Sequence, residues 1–331
     1  MNKQEIRICT VGGGSGMPVI NEALVMAGFS NIKSVVTVFD NGGDTGRLRT
    51  DEKGELLAMS DYWRSLLSLW PDSEKKKVWS AFLRRRDERG RSAGNEFFRQ
   101  LSLEAGNLMK VDELFCSLSG AELSGKVIPV SSRPTQLCFE TKSGKKYVGE
   151  EKMDDLRMSL DTIVKFWLEK EVPANHEAIA AIDGADHIIL CPGSIYGSVL
   201  ANFLPRGMKE AYCDSRANKT LITNMVNVPN ETHGCDQMEY VNKFVPYLCL
   251  KPFNRVILAE LRPDLSGCDL DQRELADCLK NYRLEHTEPI KMRKAIRIPF
   301  ETRDIATIDN RSKTLRHSPK KLAKLFAETL N

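Results

Sequence analysis

Two apolar segments near the start of the chain each end in a loop rich in glycine, and this pattern constrains the fold more than any other feature. Residues 6–11 lead into a glycine loop at 12–16, and residues 34–39 lead into a second one. The segment between them, 17–27, is predicted to be a helix with a proline in its first turn. Parallel strands present their carboxyl ends on one edge of a sheet. This order therefore predicts an α/β fold in which both loops meet where ligands bind.

Two stretches of different character follow. Residues from about 51 to about 125 place apolar side chains at helical spacing and are predicted to form a helical segment. Residues from about 126 to about 172 contain three short β-type runs, of which the last two are joined by a turn at 141–144. We therefore predict a small β-rich insert over this second stretch, beginning with a strand at 126–130.

The alternation of strands and helices then resumes. Buried runs at 187–191, 220–225 and 255–259 predict further strands, and a helix is predicted at 236–247. A last helix should begin after Ser318, a capping residue that is followed by proline. The chain has no internal repeat and no low-complexity linker. The sequence thus predicts one interleaved domain with a Rossmann-like, mostly parallel sheet flanked by helices.

We expect this domain to span residues 1–331. Its composition excludes several classes of protein. Lys and Arg number 48 against 45 Asp and Glu, which leaves a net charge of +3, so neither disorder nor a general nucleic-acid-binding surface is expected. No apolar run approaches the ~18 residues of a membrane span, and the polar start does not resemble a secretion signal. We expect a cytoplasmic protein with no nucleic-acid partner and no membrane association.

The nine cysteines and five histidines show no metal-binding spacing. No metal site is predicted, and most of the cysteines are interpreted as buried residues of a protein in a reducing compartment. The arginine-rich segment 84–91 contains two acidic residues and no aromatic residue. It is interpreted as a solvated helix end or loop rather than a nucleic-acid site, and a phosphate-facing role for one of its arginines stays open.

The first glycine loop has the composition of an anion site. Backbone N–H groups at the start of a helix attract phosphate, and glycine lets the phosphate approach without a Cβ clash. The loop consists of Gly12, Gly13, Gly14, Ser15 and Gly16. It is not a Walker A motif and only loosely resembles a dinucleotide fingerprint. Taken alone, it is also compatible with a tight turn that binds nothing.

The second loop adds charge to the first. It combines carboxylates, backbone amides and two guanidinium groups, on Asp40, Asn41, Gly42, Gly43, Asp44, Gly46, Arg47 and Arg49. Arginine neutralises phosphate, and a carboxylate holds a sugar hydroxyl or a divalent cation. Together the two loops favour a nucleotide diphosphate over a hydride cofactor. Turn formation is the alternative role for Asp40 and Asp44.

Several segments together carry a family resemblance. In chain order they read GGGSG, TVFDNGGDTGRLR, GRSAGNEFF, KVIPV, GEE, AIDGADHIILCPGSIYGSVLANFLPRGMKEA, NMVNVPNETHG and LRHSPKKLAKLF. Over nearly all of its length the chain resembles the CofD-like family, and within it the YvcK-type branch of gluconeogenesis factors. The other branch contains 2-phospho-L-lactate transferases, which join a phospholactyl group from a guanosine-diphosphate donor to a deazaflavin.

The resemblance implies a Rossmann-like core with a nucleotide at the loop edge. For the YvcK-type branch it implies binding of a UDP-sugar, particularly UDP-N-acetylglucosamine, and a regulatory role in carbon and cell-wall metabolism and in cell shape. Residue by residue, it assigns to the ligand site the first glycine loop, Asn95, and the loop residues Pro192, Gly193, Ser194, Tyr196 and Ser198. In the second loop Asp40, Gly42, Gly43, Gly46 and Arg47 match the family, whereas Asn41 and Asp44 stand where it often has other small or polar residues.

The chain departs from the family pattern at three places. Where the family has PPGD-x-R, this chain keeps Asp61 and Arg64 without the Pro-Pro-Gly. Arg91 replaces the histidine of HS-x-GN, and the PGET turn reads PNET at 229–232. These changes leave both the transfer chemistry and the usual ligand open.

The first functional hypothesis is therefore a nucleotide-sugar-binding regulatory protein. No nucleophile with a neighbouring base is evident, and Ser194 is interpreted as a phosphate ligand. The alternative is a transferase that uses a nucleotide diphosphate donor with Mg²⁺, in which Asp40 or Asp61 holds the metal or deprotonates an acceptor. A dehydrogenase is disfavoured. No catalytic residue is assigned, and a protein partner or a homo-oligomer stays open.

Hydroxyl-pairing side chains exceed what a diphosphate alone would use, which favours a nucleotide sugar as the ligand. They are Asn95, Ser194, Asn224 and Thr232. Near the far end of the chain, we predict that Arg316 reaches the ligand and that Tyr282 forms a flat wall beside its base. The alternative is a surface role for Arg316 and a packing role for Tyr282.

Overall fold

A computed structural model describes residues 2–41, 57–106, 108–156, 159–260, 299–309 and 314–330, together with Arg273. The strands in these ranges are β1 (Ile8–Gly12), β2 (Ile32–Val36), β3 (Gly125–Pro129), β4 (Leu137–Thr141), β5 (Lys146–Val148), β6 (Ile163–Leu168), β7 (His187–Leu190), β8 (Asn218–Ile222), β9 (Arg255–Ala259), β10 (Phe300–Arg303), β11 (Ala306–Asp309) and β12 (Thr314–His317).

The helices in the same ranges are α1 (Gly16–Met26), α2 (Ser60–Ser68), α3 (Glu74–Leu83), α4 (Ala93–Ala105), α5 (Val111–Ser119), α6 (Glu151–Asp155), α7 (His176–Asp183), α8 (Met208–Asp214), α9 (Pro229–Thr232), α10 (Gln237–Asn242) and α11 (Pro319–Thr329). A π-helical turn over Ile195–Val199 and a 3₁₀ turn over Leu200–Phe203 follow β7. Another 3₁₀ turn, Leu108–Lys110, precedes α5.

The main sheet confirms the predicted fold class. Its strands lie in the order β3-β2-β1-β7-β8-β9-β10, and every neighbouring pair is parallel. Chain order runs outward in both directions from the centre, so the direction of winding reverses between β1 and β7. In such sheets a crevice opens beyond the carboxyl ends of the two central strands, and ligands bind there.

The strand predicted at 126–130 forms as β3, but it does not join the β-rich insert. It pairs in parallel with β2, with Gly125 opposite Ile32. The physical reason is burial on both faces, since Val127 packs into one side of the core and Ile128 into the other. The antiparallel sheet of the insert has the order β5-β4-β6, and the turn predicted at 141–144 joins its first two strands.

The sheet divides the hydrophobic core into two layers. Along β1, Ile8 packs with the helices on one side, and Cys9 and Val11 pack on the other, because successive side chains of a strand point to opposite faces. The predicted closing helix forms as α11. It begins at Ser318, whose Oγ accepts a hydrogen bond from the N–H of Lys321, and it packs along α1.

Two features in the last third of the chain differ from the sequence prediction. The helix predicted at 236–247 is shorter, because α10 begins at the capping box of Asp236 and Glu239 and ends at Asn242. Strands β11 and β12 were not predicted, although they form an antiparallel pair that places Arg316 opposite Thr307. In the part of the chain that the structure describes, no helix combines the length and the apolar character that a membrane crossing requires.

Candidate functional site

A cleft of about 480 Å³ lies at the carboxyl ends of β1, β7 and β8. Its polar lining comes from the first glycine loop, from the segments after β2, β7, β8 and α3, and from α2, α4, α6, α9 and β12 with their flanking residues. These residues are Gly14, Ser15, Gly16, Asp40, Ser60, Asp61, Arg64, Arg86, Asn95, Glu150, Asp154, Gly193, Ser194, Gly197, Ser198, Asn224, Asn230, Glu231, Arg316 and His317. The cleft therefore occupies the crevice that the sheet topology predicts for a ligand.

The first glycine loop is shaped by close contacts with the loop after β7. A Cβ atom on Gly16 would clash with the backbone of Pro192, and one on Gly14 would lie 3.2 Å from the Oγ of Ser198. Gly14 also has a φ of +62°, which side chains disfavour. The first-turn amides of α1 have no acceptor within the helix, so the loop has the backbone geometry of an anion site.

A carboxylate of the chain itself covers part of this loop. The Oδ2 atom of Asp61 accepts a hydrogen bond of 2.7 Å from the N–H of Gly14. Gly13 permits this approach, because a Cβ atom there would lie 2.5 Å from the same oxygen. Burial and the neighbouring carboxylate of Asp40 raise the pKa of Asp61 to about 6. The amide that the sequence assigned to a phosphate is thus held by a carboxyl group that ionises with difficulty.

Further acidic groups lie beside Asp61. Asp40 accepts a hydrogen bond of 3.0 Å from the hydroxyl of Ser60. Burial and the carboxylate of Asp40 raise the pKa of Glu150 to about 10, and the two carboxyl groups share a hydrogen bond. Glu150 therefore keeps its proton at neutral pH. This lowers the negative charge of the cleft and supplies a donor next to an acceptor.

Three guanidinium groups line the cleft with these acids. Arg316 donates from Nη1 to the Oγ of Ser15 at 3.3 Å. Arg64 stacks on the ring of Trp63 at 5.5 Å from its centroid, and its Nη1 lies 4.0 Å from the Oδ1 of Asp61. Arg86 donates from Nη1 to the carbonyl of Gly90 at 2.7 Å. The cleft thus offers fixed positive charge beside the helix N-terminus, as binding of a phosphate requires.

Arg316 is positioned by the residue that follows it. The Nε2 atom of His317 donates to the carbonyl of Thr223 at 3.0 Å and so ties β12 to the end of β8. Burial lowers the pKa of His317 to about 4, so the ring is neutral at physiological pH. The contact anchors β12 with its arginine at the mouth of the cleft.

The loop after β7 is built differently. Asn224 accepts from the N–H of Gly193 and donates to the carbonyl of the same residue, both at 2.7 Å. The hydroxyl of Ser194 donates to the Oε1 of Glu231 at 2.5 Å, and the N–H of Ile195 donates to Oε2 at 2.8 Å. These contacts fasten the loop to β8 and α9, and they use the Ser194 hydroxyl that the sequence assigned to a phosphate.

Not all predicted site residues face the cleft. Tyr196 is buried among aromatic rings and donates to the carbonyl of Ile163. Thr232 accepts from the N–H of Val228 inside its own turn, and Asn41 accepts from the N–H of Glu151. Gly12 lies against Cys191. These four residues support the walls of the cleft, and Gly13 contributes through its contact with Asp61.

Asn95 does line the cleft, where its Oδ1 accepts from the indole N–H of Trp63 at 2.8 Å. The predicted site residues Gly42, Gly43, Arg47 and Tyr282 lie outside the residues that the structure describes.

Sequence reasoning missed Glu150, Asp154, Asn230 and Glu231 as lining residues. Asn230 donates from Nδ2 to the carbonyl of Met153 at 2.9 Å, while its buried Oδ1 has no hydrogen-bond partner among the described residues. A signal was present, because the GEE and PNET segments are strongly polar and lie next to predicted elements. Nothing local showed that they face each other.

The described residues do not form a ready site for a cation. Among them, no three histidine, cysteine, aspartate or glutamate side chains are grouped so as to hold a metal ion. The role of Mg²⁺ in the transferase alternative stays a prediction.

Comparison with known proteins adds a family to this geometry. The profile of the family described as 2-phospho-L-lactate transferase CofD matches residues 8–296. A relative from Aquifex aeolicus, named as a candidate gluconeogenesis factor, is 27% identical over 339 residues, which span 99% of this chain and 97% of its own. A gluconeogenesis factor from Listeria monocytogenes is 30% identical over 240 residues, or 71% of each chain.

The fold has a close match among solved structures. The crystal structure of a UPF0052 family member from Bacillus halodurans has a TM-score of 0.83 and 24% sequence identity, and the match covers 98% of this chain and 100% of that one. At this sequence identity the match is evidence for the fold alone. The family profile and the named relatives show that the chain belongs to the CofD family, in its YvcK-type branch of gluconeogenesis factors.

Proposed function

We propose that the cleft binds a nucleotide diphosphate sugar, with a UDP-sugar such as UDP-N-acetylglucosamine as the expected ligand. Binding serves the regulation of carbon and cell-wall metabolism rather than turnover. The observation that carries the proposal is the position of Arg316, which donates to Ser15 at the N-terminus of α1. A guanidinium and a helix N-terminus that meet at one point favour a diphosphate.

The remainder of the cleft supports a sugar at the other end of the ligand. Its lining there is rich in hydrogen-bond acceptors, including Asp154, Asn230 and Glu231. A sugar presents several hydroxyl donors to such a surface, whereas a second phosphate would be repelled by it. The volume of about 480 Å³ lies within the range of sites that hold ligands of this kind.

The test is calorimetric titration of the full chain with UDP-N-acetylglucosamine and with UDP. We expect Arg316→Ala to weaken binding of both by at least about tenfold, or ~1.4 kcal/mol, because the arginine contacts the phosphate that they share. Arg206→Ala is the matched control, since Arg206 is also exposed but lies 3.5 Å from Glu171, away from the cleft. Unchanged affinity in Arg316→Ala would remove this arginine from the site. Equal affinity of the wild type for UDP and the sugar nucleotide would count against a sugar ligand.

A transferase is the second candidate, and one observation favours it. Glu150 holds a proton next to the carboxylate of Asp40, so an acid and a base lie side by side in the cleft. If the chain transfers a group from a nucleotide diphosphate donor, donor breakdown should appear when an acceptor alcohol is supplied. Asp40→Asn should then abolish breakdown while donor binding persists. Chromatography of the nucleotide products decides between the two functions.

A further inference from the structure

Two half-exposed cysteines lie together on the outer face of the molecule. Cys213 is near the end of α8, and Cys249 follows α10 in the segment that leads to β9. The two thiols are close enough for each to influence the ionisation of the other. The thiol of Cys249 also lies 3.6 Å from the carbonyl of Lys251.

Contacts on both sides of the pair hold their two segments together. The buried hydroxyl of Tyr212 donates to the carbonyl of Pro252 at 2.6 Å. Lys209 donates from Nζ to the carbonyl of Pro246 at 3.3 Å. Because Cys213 follows Tyr212 directly and Cys249 lies between the two prolines, the sulfur atoms stay close as long as these contacts persist.

A second pair of neighbouring cysteines differs from the first in its exposure to solvent. Cys9 on β1 and Cys191 after β7 interact electrostatically, but both are 1% exposed in the centre of the sheet. Burial raises the pKa of Cys9 to about 12. An oxidant in solution has no route to these sulfurs, and no thiolate forms there to react with it. The outer pair differs because solvent reaches both of its residues.

We propose that Cys213 and Cys249 form a reversible disulfide under oxidation by a peroxide. One thiolate attacks hydrogen peroxide, the O–O bond breaks, and the sulfur becomes a sulfenic acid. The other thiolate then attacks that sulfur and displaces hydroxide. Two thiols and one peroxide give one disulfide and two waters, and the two electrons pass from sulfur to the peroxide oxygens.

The charges near the pair set the conditions for the reaction. Burial and the contact with Cys249 raise the pKa of Cys213 to about 11, while Lys209 and Lys219 oppose this shift. Lys219 lies next to the pair, with its Nζ donating to the carbonyl of Cys213 at 3.4 Å. Oxidation should therefore be slow at neutral pH and faster as the pH rises. A pair of this kind responds to sustained oxidation rather than to a trace of oxidant.

A disulfide between Cys213 and Cys249 would affect the cleft, because it closes a loop of the chain that includes part of the cleft wall. The loop from Cys213 to Cys249 contains β8, α9 and α10, and with them Asn224, Asn230 and Glu231 of the cleft wall. A cross-link that closes this loop restricts the unfolded chain and raises the stability of the fold. The proposal does not depend on which ligand the cleft binds.

Peptide mapping of the full chain tests the proposal. The protein is treated with hydrogen peroxide, its free thiols are alkylated, and it is digested with trypsin without reduction. The expected result is a linked species made of peptides 210–216 and 244–255, lighter by two hydrogens than their sum, which disappears after reduction. Oxidation should also raise the melting temperature of the wild type and leave that of Cys249→Ser unchanged.

Cys116→Ser is the matched control, because Cys116 is half-buried and belongs to neither pair. This variant should give the linked peptides in the same yield as the wild type. The proposal is overturned if peptides 210–216 and 244–255 are alkylated or oxidised separately, or if either is linked to a different cysteine. This readout comes from the wild type, so the proposal stays testable even if a cysteine variant fails to fold.

Discussion

The two loops on either side of the cleft share a plan but differ in how their polar groups are held. Each follows a central parallel strand and contains a glycine with positive φ, Gly14 at +62° and Gly193 at +155°. In the first loop a single amide is covered by Asp61, whose pKa is raised to about 6. In the second, Glu231 binds both the hydroxyl of Ser194 and the amide of Ile195.

The difference separates a binding surface from a support. Asp61 is desolvated and repelled by Asp40, so its hold on the Gly14 amide is costly, and under the proposed function a ligand phosphate would replace it. Glu231 satisfies two donors at once and fixes the loop after β7 in place. Two similar sequence patterns thus give loops with different properties. The Asp61 carboxylate is held at the first loop at a cost, whereas the Glu231 carboxylate is held firmly at the loop after β7.

The largest change in stability should follow from removal of the Glu231 carboxylate, which supports the loop after β7. Glu231→Ala leaves the Ser194 hydroxyl and the Ile195 amide without their acceptor, and we expect the free energy of unfolding to fall by about 3 kcal/mol. Urea denaturation measures this change. The control is Glu171→Ala, which removes an exposed carboxylate and should change stability by less than about 0.5 kcal/mol. If both variants behave alike, the loop after β7 does not depend on Glu231.

A smaller change of opposite sign in the free energy of unfolding is expected when Asp61, which binds the first loop, is replaced. Below about pH 4 the Asp61 carboxyl is protonated in both the folded and the unfolded chain. Between about pH 4 and pH 6 the unfolded chain ionises it first, so the free energy of unfolding decreases as the pH rises. Asp61→Asn removes this loss and should raise stability at pH 7 by about 2 kcal/mol relative to wild type.

Urea denaturation at several pH values between 4 and 7 checks this prediction. The gain should be absent near pH 4 and should grow through the window in which Asp61 ionises in the unfolded chain. Asp183→Asn, at an exposed position at the end of α7, is the control. A pH-independent effect of Asp61→Asn would mean that Asp61 is a fixed support like Glu231, and the comparison of the two loops would fail.

The smallest predicted effect concerns selectivity and rests on the proposed ligand. Asn230→Ala removes a buried oxygen that has no hydrogen-bond partner among the described residues, so it should weaken UDP-sugar binding by about tenfold, or ~1.4 kcal/mol, and leave UDP binding unchanged. Asn227 provides a matched control. It is equally buried and donates to the carbonyl of Cys235, and its Oδ1 has no hydrogen-bond partner in the described part of the chain, but it does not line the cleft.

Calorimetry of both variants separates two kinds of failure. If neither UDP nor the UDP-sugar binds the wild type, the proposed ligand is wrong. If both bind but Asn230→Ala and Asn227→Ala have equal affinity for the sugar nucleotide, the ligand stands and Asn230 does not recognise its sugar.

Much of the fold could be predicted because its signals are local. The glycine loop after a β-branched run marks the end of β1, and Ser318 with the proline after it marks the start of α11. The membership of β3 could not be predicted from its residues alone. A short apolar run is compatible with either sheet, and only burial of Val127 and Ile128 on opposite faces assigns it to the parallel one.

The sequence by itself determined the α/β fold class, the end of β1, the start of α11 and the sheet edge at which the first glycine loop lies, because periodicity, capping and backbone sterics act over a few residues. Tertiary structure alone decided which groups occupy the donors of that edge. Asp61 takes the amide of Gly14, Glu231 takes the hydroxyl of Ser194, and Arg316 reaches Ser15 across 301 residues. Such pairings depend on burial and on competition between distant acceptors for the same donor, and no local pattern records the outcome.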